Sequence, residues 1–151
     1  NDDYGYVNSS KSFKWVAGSK KGMKFINNKN YYLFIIINQS DTRKGLYSQI
    51  KFQKFNKKIK SYLISNDIYI NDLEYCSHHP KEGKVKYLKR YECRKPNNKM
   101  LKNIFKNWLI DINKSIMIGD NVKDKLCAEK LGIKFCFREK SLYKQLKKII
   151  N

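Results

Sequence analysis

Seven apolar residues in a row, Tyr31-Tyr32-Leu33-Phe34-Ile35-Ile36-Ile37, limit the fold more than any other stretch. Successive side chains of a strand point to opposite faces, so a half-exposed strand alternates apolar and polar residues. An unbroken run leaves no wet face. It fits a strand of a parallel sheet covered on both sides. The run is also the longest in the chain, and it is far too short to span a bilayer. No membrane partner is expected, and no stretch reads as a signal peptide.

Other segments supply partners for such a sheet. Residues 1–10 read as a loop, and 13–26 as amphipathic and helical, weakened by Gly18 and Gly22. Residues 27–30 form a turn, and 38–46 a polar loop after the strand. The spacing of Phe52, Phe55, Ile59, Tyr62 and Leu63 predicts a helix over 48–63 with Ser48 as its N-cap. Short strands are expected at 72–76, 115–118 and 134–137, and helices at 100–109, 121–131 (closed by Gly132) and 141–150. Leu101, Ile104, Phe105 and Trp108 should line the buried side of the 100–109 helix. Strands alternating with helices give an α/β sandwich with a parallel sheet, built as a single domain over 1–151.

Charge is the loudest feature of the composition. The chain has 33 basic and 13 acidic residues, a net charge of +20. That balance would ordinarily point to nucleic acid. Yet only Arg43, Arg90, Arg94 and Arg138 are arginines, and the lysines are spread over the whole length. Readers of bases and phosphates favour arginine. Lys, Asn and Ile are together what an AT-rich genome writes at tolerant positions. Most of the charge is therefore read as solvated surface, and a nucleic-acid role is not favoured. Cys76, Cys93, Cys127 and Cys136 are few and unevenly spaced, which argues against a disulfide framework and for a reducing cytoplasm.

Three polar clusters fall at or just after strand ends, where open α/β sheets place their sites. The first is Asn38-Gln39-Ser40, whose amides, hydroxyl and turning N–H groups can cradle phosphate oxygens or simply make a turn. The second is Cys76-Ser77-His78-His79-Pro80 with Cys93-Arg94-Lys95-Pro96. Thiolate and imidazole suit structural Zn²⁺, so Cys76, His78 and Cys93 form a zinc clasp over 76–96 that lacks a fourth ligand. Tyr91 stands where that ligand would be, and a phenol replaces a thiolate poorly. The alternative is a loop with spare Cys and His. Arg94 and Lys95 would sit on this clasp as a fixed pair of cations for a phosphorylated substrate. The third cluster is Gly119-Asp120, with Asp124 one helical turn on. Asp120 can hold Mg²⁺, cap the next helix, or do both.

In this order the pieces resemble the haloacid dehalogenase (HAD) superfamily of phosphatases, most closely the D-glycero-D-manno-heptose-1,7-bisphosphate 7-phosphatases, with histidinol-phosphatases as kin. The resemblance runs through Gly5-Tyr6-Val7, Asn38-Gln39-Ser40 with Gly45, the Cys-x-His-His-Pro and Cys-Arg-Lys-Pro pieces with Met100, and Gly119-Asp120 with Asp124 and Ala128. The long step from Cys76 to Tyr91 is more like the heptose enzymes than the histidinol enzymes. It implies a Rossmannoid three-layer sandwich and a cytoplasmic, monomeric phosphatase of a small phosphorylated sugar, in the making of lipopolysaccharide-core heptose.

The mechanism that it implies runs through an aspartyl-phosphate, with a second Asp as acid and base and Mg²⁺ neutralising the phosphate. Lys95 would steady the phosphoryl group, Arg94 would orient the substrate, Asp120 would hold Mg²⁺, and Asn38, Gln39, Ser40 and Asn121 would meet the substrate. The family carries both catalytic Asp residues in a DxDGT segment on its central first strand. These 151 residues contain no such segment, so the first strand and both Asp are expected to be missing and the chain alone to be inactive. Ile37, Asp41, Tyr91, Lys99 and Asn121 also depart from the family's Thr, Gly, Cys, Gly and Lys. A degenerate, non-catalytic copy is therefore an alternative, as are a histidinol-phosphatase and, less favoured, a polynucleotide phosphatase.

Overall fold

The structure, a computed structural model, describes residues 13–38, 46–76 and 92–150. Among these, the elements run α1 (Ser19–Asn28), β1 (Phe34–Asn38), α2 (Leu46–Ile64), β2 (Asp72–Cys76), α3 (Lys99–Asn107), a 3-10 turn (Ile112–Lys114), β3 (Ile116–Gly119), α4 (Val122–Glu129), β4 (Lys134–Phe137) and α5 (Leu142–Ile149). The protein is α/β with parallel strands. β3 and β4 run parallel, with Ile116 opposite Lys134 and Gly119 opposite Phe137. The crossover between them is α4, the connection that parallel neighbours need. β1 pairs with β2. The sheet was expected without its central first strand, and the described strands form two separate pairs.

The apolar run also differs from its expectation. Tyr31 and Tyr32 are 45% and 53% exposed, and β1 starts only at Phe34. Tyrosine can leave its ring edge and hydroxyl in water, so apolarity alone does not set where a strand begins. Ser48 lies inside α2 and is not its N-cap. Trp108 ends α3 in extended conformation, while Met100, Leu101 and Ile104 are the side chains α3 buries.

The chain divides into two compact units. The first comprises 1–35, 41–73 and 139–151. Its core is Met23, Leu63 and Ile68, with Trp15, Leu33, Ile59 and Ile70 packed around them. α1 lies against α5, and the two glycines that weaken the α1 sequence serve this packing. Gly18 precedes the helix at φ 73°, a conformation glycine takes without strain. At Gly22 an added Cβ would stand 2.9 Å from Leu146. Two asparagines bracket loop backbone. Asn27 accepts from the Tyr69 N–H at 2.8 Å and donates to its carbonyl at 3.0 Å. Asn71 exchanges a similar pair with Leu33, through its own side-chain oxygen and backbone N–H.

The second unit comprises 36–40 and 74–138. Leu101, Cys127, Ala128 and Ile133 form its core, with Ile36, Phe105, Met117, Leu131 and Phe135 around them. α4 thereby presents one face to the core, and its N-terminus begins at the end of β3.

Leu63 is 1% exposed and its neighbour Ile64 is 55% exposed. Leu63→Ala should cost about 2–5 kcal/mol in urea denaturation through lost contact and cavity, whereas Ile64→Ala should stay within about 0.5 kcal/mol.

Candidate active site

Asn38 ends β1, and both ends of its amide bind the backbone of Lys95. The Lys95 N–H donates to Oδ1 at 3.0 Å, and Nδ2 donates to the Lys95 carbonyl at 3.2 Å. A primary amide matches a peptide unit in this way because it offers a donor and an acceptor side by side. The turn that carries Lys95 is thus tied to the strand end. Asn38, expected to meet substrate, also holds Lys95.

The Lys95 side chain runs back beside the same strand. Its Nζ donates to the Ile36 carbonyl at 3.3 Å and pairs with Oδ1 of Asp124 at 2.6 Å. The two side chains are only 12% and 8% exposed. A cation this deep needs a nearby anion, since desolvating an unpaired ammonium costs several kcal/mol. An ammonium has three donors. Among the described residues two are used, which leaves one direction for a further acceptor.

Asp124 is set by its own helix. Asn121 is the N-cap of α4: its side chain accepts from the Lys123 N–H at 3.0 Å, and its own N–H donates to Asp124 Oδ2 at 3.2 Å. This reciprocal capping box gives Asp124 one oxygen for the backbone and one for Lys95. The cap is Asn121, not Asp120, so the capping alternative for Asp120 is corrected. Asp120 is exposed at the end of β3, and it makes none of the hydrogen bonds or ion pairs found among the described residues. Gly119 is what lets Asp124 come so close. A Cβ at 119 would lie 2.6 Å from both the Cβ and Oδ2 of Asp124.

The expected residues therefore separate into three sets. Asn38 is joined to the Lys95 backbone, and Asp120 lies next to Asn121 in the chain without a side-chain bond to them among the described residues. Lys95 and Asn121 are joined through Asp124, to which the sequence reading gave no role. The signal for it was the spacing in Gly119-Asp120-Asn121-x-x-Asp124, which is also a capping box. Arg94 follows Cys93, is half-buried, and its carbonyl accepts from the Asn97 N–H at 2.9 Å. Gln39, Ser40 and His78 lie outside the described residues.

Residues 92–145 match the family described as HAD-hydrolase-like. A D-glycero-beta-D-manno-heptose-1,7-bisphosphate 7-phosphatase from Haemophilus ducreyi is 33% identical over 136 residues, covering 89% of this chain and 74% of the relative. The chain belongs to the HAD-like phosphatases. The enzyme of the same name from Haemophilus influenzae is 35% identical over 124 residues, covering 82% of this chain and 67% of its own length. A crystal structure of D,D-heptose 1,7-bisphosphate phosphatase from B. bronchiseptica, complexed with magnesium and phosphate, superposes with a TM-score of 0.75 at 17% identity. It covers 99% of this chain and 91% of its own, and at that identity it speaks for the HAD-like fold.

One expectation about this HAD-like chain is overturned. Cys76 and Cys93 do meet, with Cα atoms 5.5 Å apart, but they are joined as a disulfide. Bonded sulfurs offer no thiolate, and thiolate is the form that ligates zinc. The zinc set of Cys76, His78 and Cys93 is therefore withdrawn, while Cys127 and Cys136 stay free thiols, so one bridge is present and not a disulfide framework. Among the described residues no cluster of three His, Cys, Asp or Glu stands ready for a metal.

Cys127 is fully buried beside the site, and burial pushes its thiol above the ordinary value of 9.0. Lys95 and Lys130 pull it down and Asp124 pushes it further up. The folded thiol thus holds its proton more tightly than the unfolded one. Its contribution to stability is intact below the ordinary thiol value and is lost as pH rises through the raised one. Stability should fall over that alkaline window, and Cys127→Ala should remove this part of the fall in denaturation curves taken along pH. Gly119→Ala should displace Asp124 and cost about 1–3 kcal/mol in the same measurement.

Proposed function

We propose that this chain carries the phosphate-gripping and metal-holding part of a phosphatase for a sugar phosphate, acting on the 7-phosphate of D-glycero-D-manno-heptose 1,7-bisphosphate. The observation that supports the reading is the state of Lys95. Its ammonium is almost buried, held from two sides at the end of a strand, and among the described residues has one donor direction left. A preorganised cation is worth most where charge develops on a transferring phosphoryl group, because it needs no rearrangement at that moment. Its partner Asp124 holds it in place. Arg94, one residue earlier, would orient the sugar, and the exposed amide of Asn121 would reach it from the other strand end. Gln39 and Ser40 would add polar contacts.

Asp120 is a hard oxygen donor at a strand end, exposed and uncommitted among the described residues, which fits Mg²⁺. Bound there, the ion would neutralise phosphate charge. The nucleophilic Asp and its acid–base partner lie, on this reading, outside these 151 residues. The single domain over 1–151 remains part of the proposal, as does a monomer. So does a cytoplasmic location. No helix among the described residues is long and apolar enough to cross a membrane.

The test joins the chain to a strand segment bearing DxDGT and follows phosphate release. Mg²⁺-dependent release from the heptose bisphosphate is expected. Lys95→Met should lower it by about a hundredfold or more, and Asp120→Asn should raise the Mg²⁺ concentration required. Faster turnover of histidinol phosphate would move the substrate to that branch. No release from any sugar phosphate would leave a degenerate copy without chemistry.

A further inference from the structure

Lys95 sits on a turn over 92–98, and Asn38 anchors only one side of it. The other side faces α4, which touches the turn with three residues of one stripe. Asp124 takes the Lys95 ammonium. One turn on, the Cys127 thiol donates to the Asn97 carbonyl at 3.2 Å. At the C-cap of α4, Lys130 Nζ donates to the Pro96 carbonyl at 2.9 Å and to Asn97 Oδ1 at 3.4 Å. Residues 124, 127 and 130 recur at the three-residue step that keeps side chains on one helix face. Lys130 also stands at the negative end of α4, where a cation is favoured. None of these contacts from Cys127 or Lys130 goes to Lys95 itself. They fix the two residues that follow it.

We propose that Cys127 and Lys130 are positioning residues, which clamp the Pro96–Asn97 turn onto α4 and so fix where the Lys95 ammonium meets a phosphate. The inference rests on the reading of Lys95 as a phosphate ligand. If Lys130 slackens, the turn is still tied through Asn38, the Cys76–Cys93 bridge, Asp124 and Cys127, but its Pro96 and Asn97 oxygens lose the cation that holds them to the C-cap of α4. The ammonium then samples several places, and a phosphate oxygen finds it in the right one less often.

Inorganic phosphate with Mg²⁺ is the probe, titrated by calorimetry into the full 151-residue chain and its variants, with a melting curve for each. Lys130→Met should weaken phosphate binding about fivefold, the loss of one net hydrogen bond. Lys130→Arg, which can still reach the carbonyls, should restore binding to within about twofold of the parent. Cys127→Ser keeps a donor and should bind like the parent. Lys125→Met removes a neighbouring exposed charge on the same helix without touching the turn, and should leave binding unchanged.

Equal weakening by Lys125→Met and Lys130→Met would overturn the proposal in favour of long-range charge. A lower melting temperature for Lys130→Met with unchanged affinity would overturn it in favour of a purely structural role. If Lys95→Met abolishes binding while Lys130→Met does not alter it, the clamp fails and the phosphate reading stands. If the parent chain binds no phosphate, both are overturned.

Discussion

A nearly buried ammonium against a nearly buried carboxylate, Lys95 on Asp124, is the interaction around which the second unit is arranged. Such a pair adds little net stability, since desolvating both ions offsets most of their attraction. Its effect is on geometry. Each ion is costly without the other, so every conformation that separates them is disfavoured. The surroundings follow from that demand. Gly119 must be small enough for Asp124 to approach. Asn121 must cap α4 so that Asp124 is aimed, and Asn38 must hold the backbone that brings Lys95 in.

The asparagines carry more structure than composition implies. Lys, Asn and Ile look like drift at tolerant positions, and for many surface lysines that reading is reasonable. Asn27, Asn71 and Asn38 do something else. Each pairs with a backbone segment that no strand partner serves, at Tyr69, Leu33 and Lys95 respectively. Peptide groups outside strand ladders need partners; the side-chain amides of Asn27 and Asn38 supply both polarities at once, and Asn71 joins its side-chain oxygen to its own N–H. A biased composition can thus hide individual residues that the fold depends on.

The cysteines show the same limit from the chemical side. That Cys76 and Cys93 belong together was legible from their place beside the polar clusters. What joins them was not. A zinc clasp and a disulfide both close the loop between them and both fix Arg94 and Lys95 next to it. Sequence spacing is the same for either. The choice is made by whether the two sulfurs point at each other, which is a matter of tertiary placement.

Local pattern by itself determined the order of strands and helices, the bounds of β2 and β4, and membership of the HAD-like phosphatases. These rest on side-chain periodicity, on turn residues and on short motifs, all of which are written within a few residues. Tertiary structure decided the rest. It set where β1 begins, because Tyr31 and Tyr32 tolerate water. It paired the strands two and two, and it made Asn38 a brace for Lys95. It also made Asp124 the partner of Lys95 across 29 positions of chain (95 to 124). No local rule reaches that far: the pair forms because the strand end and the helix start are brought to one place, where neither charge can remain alone.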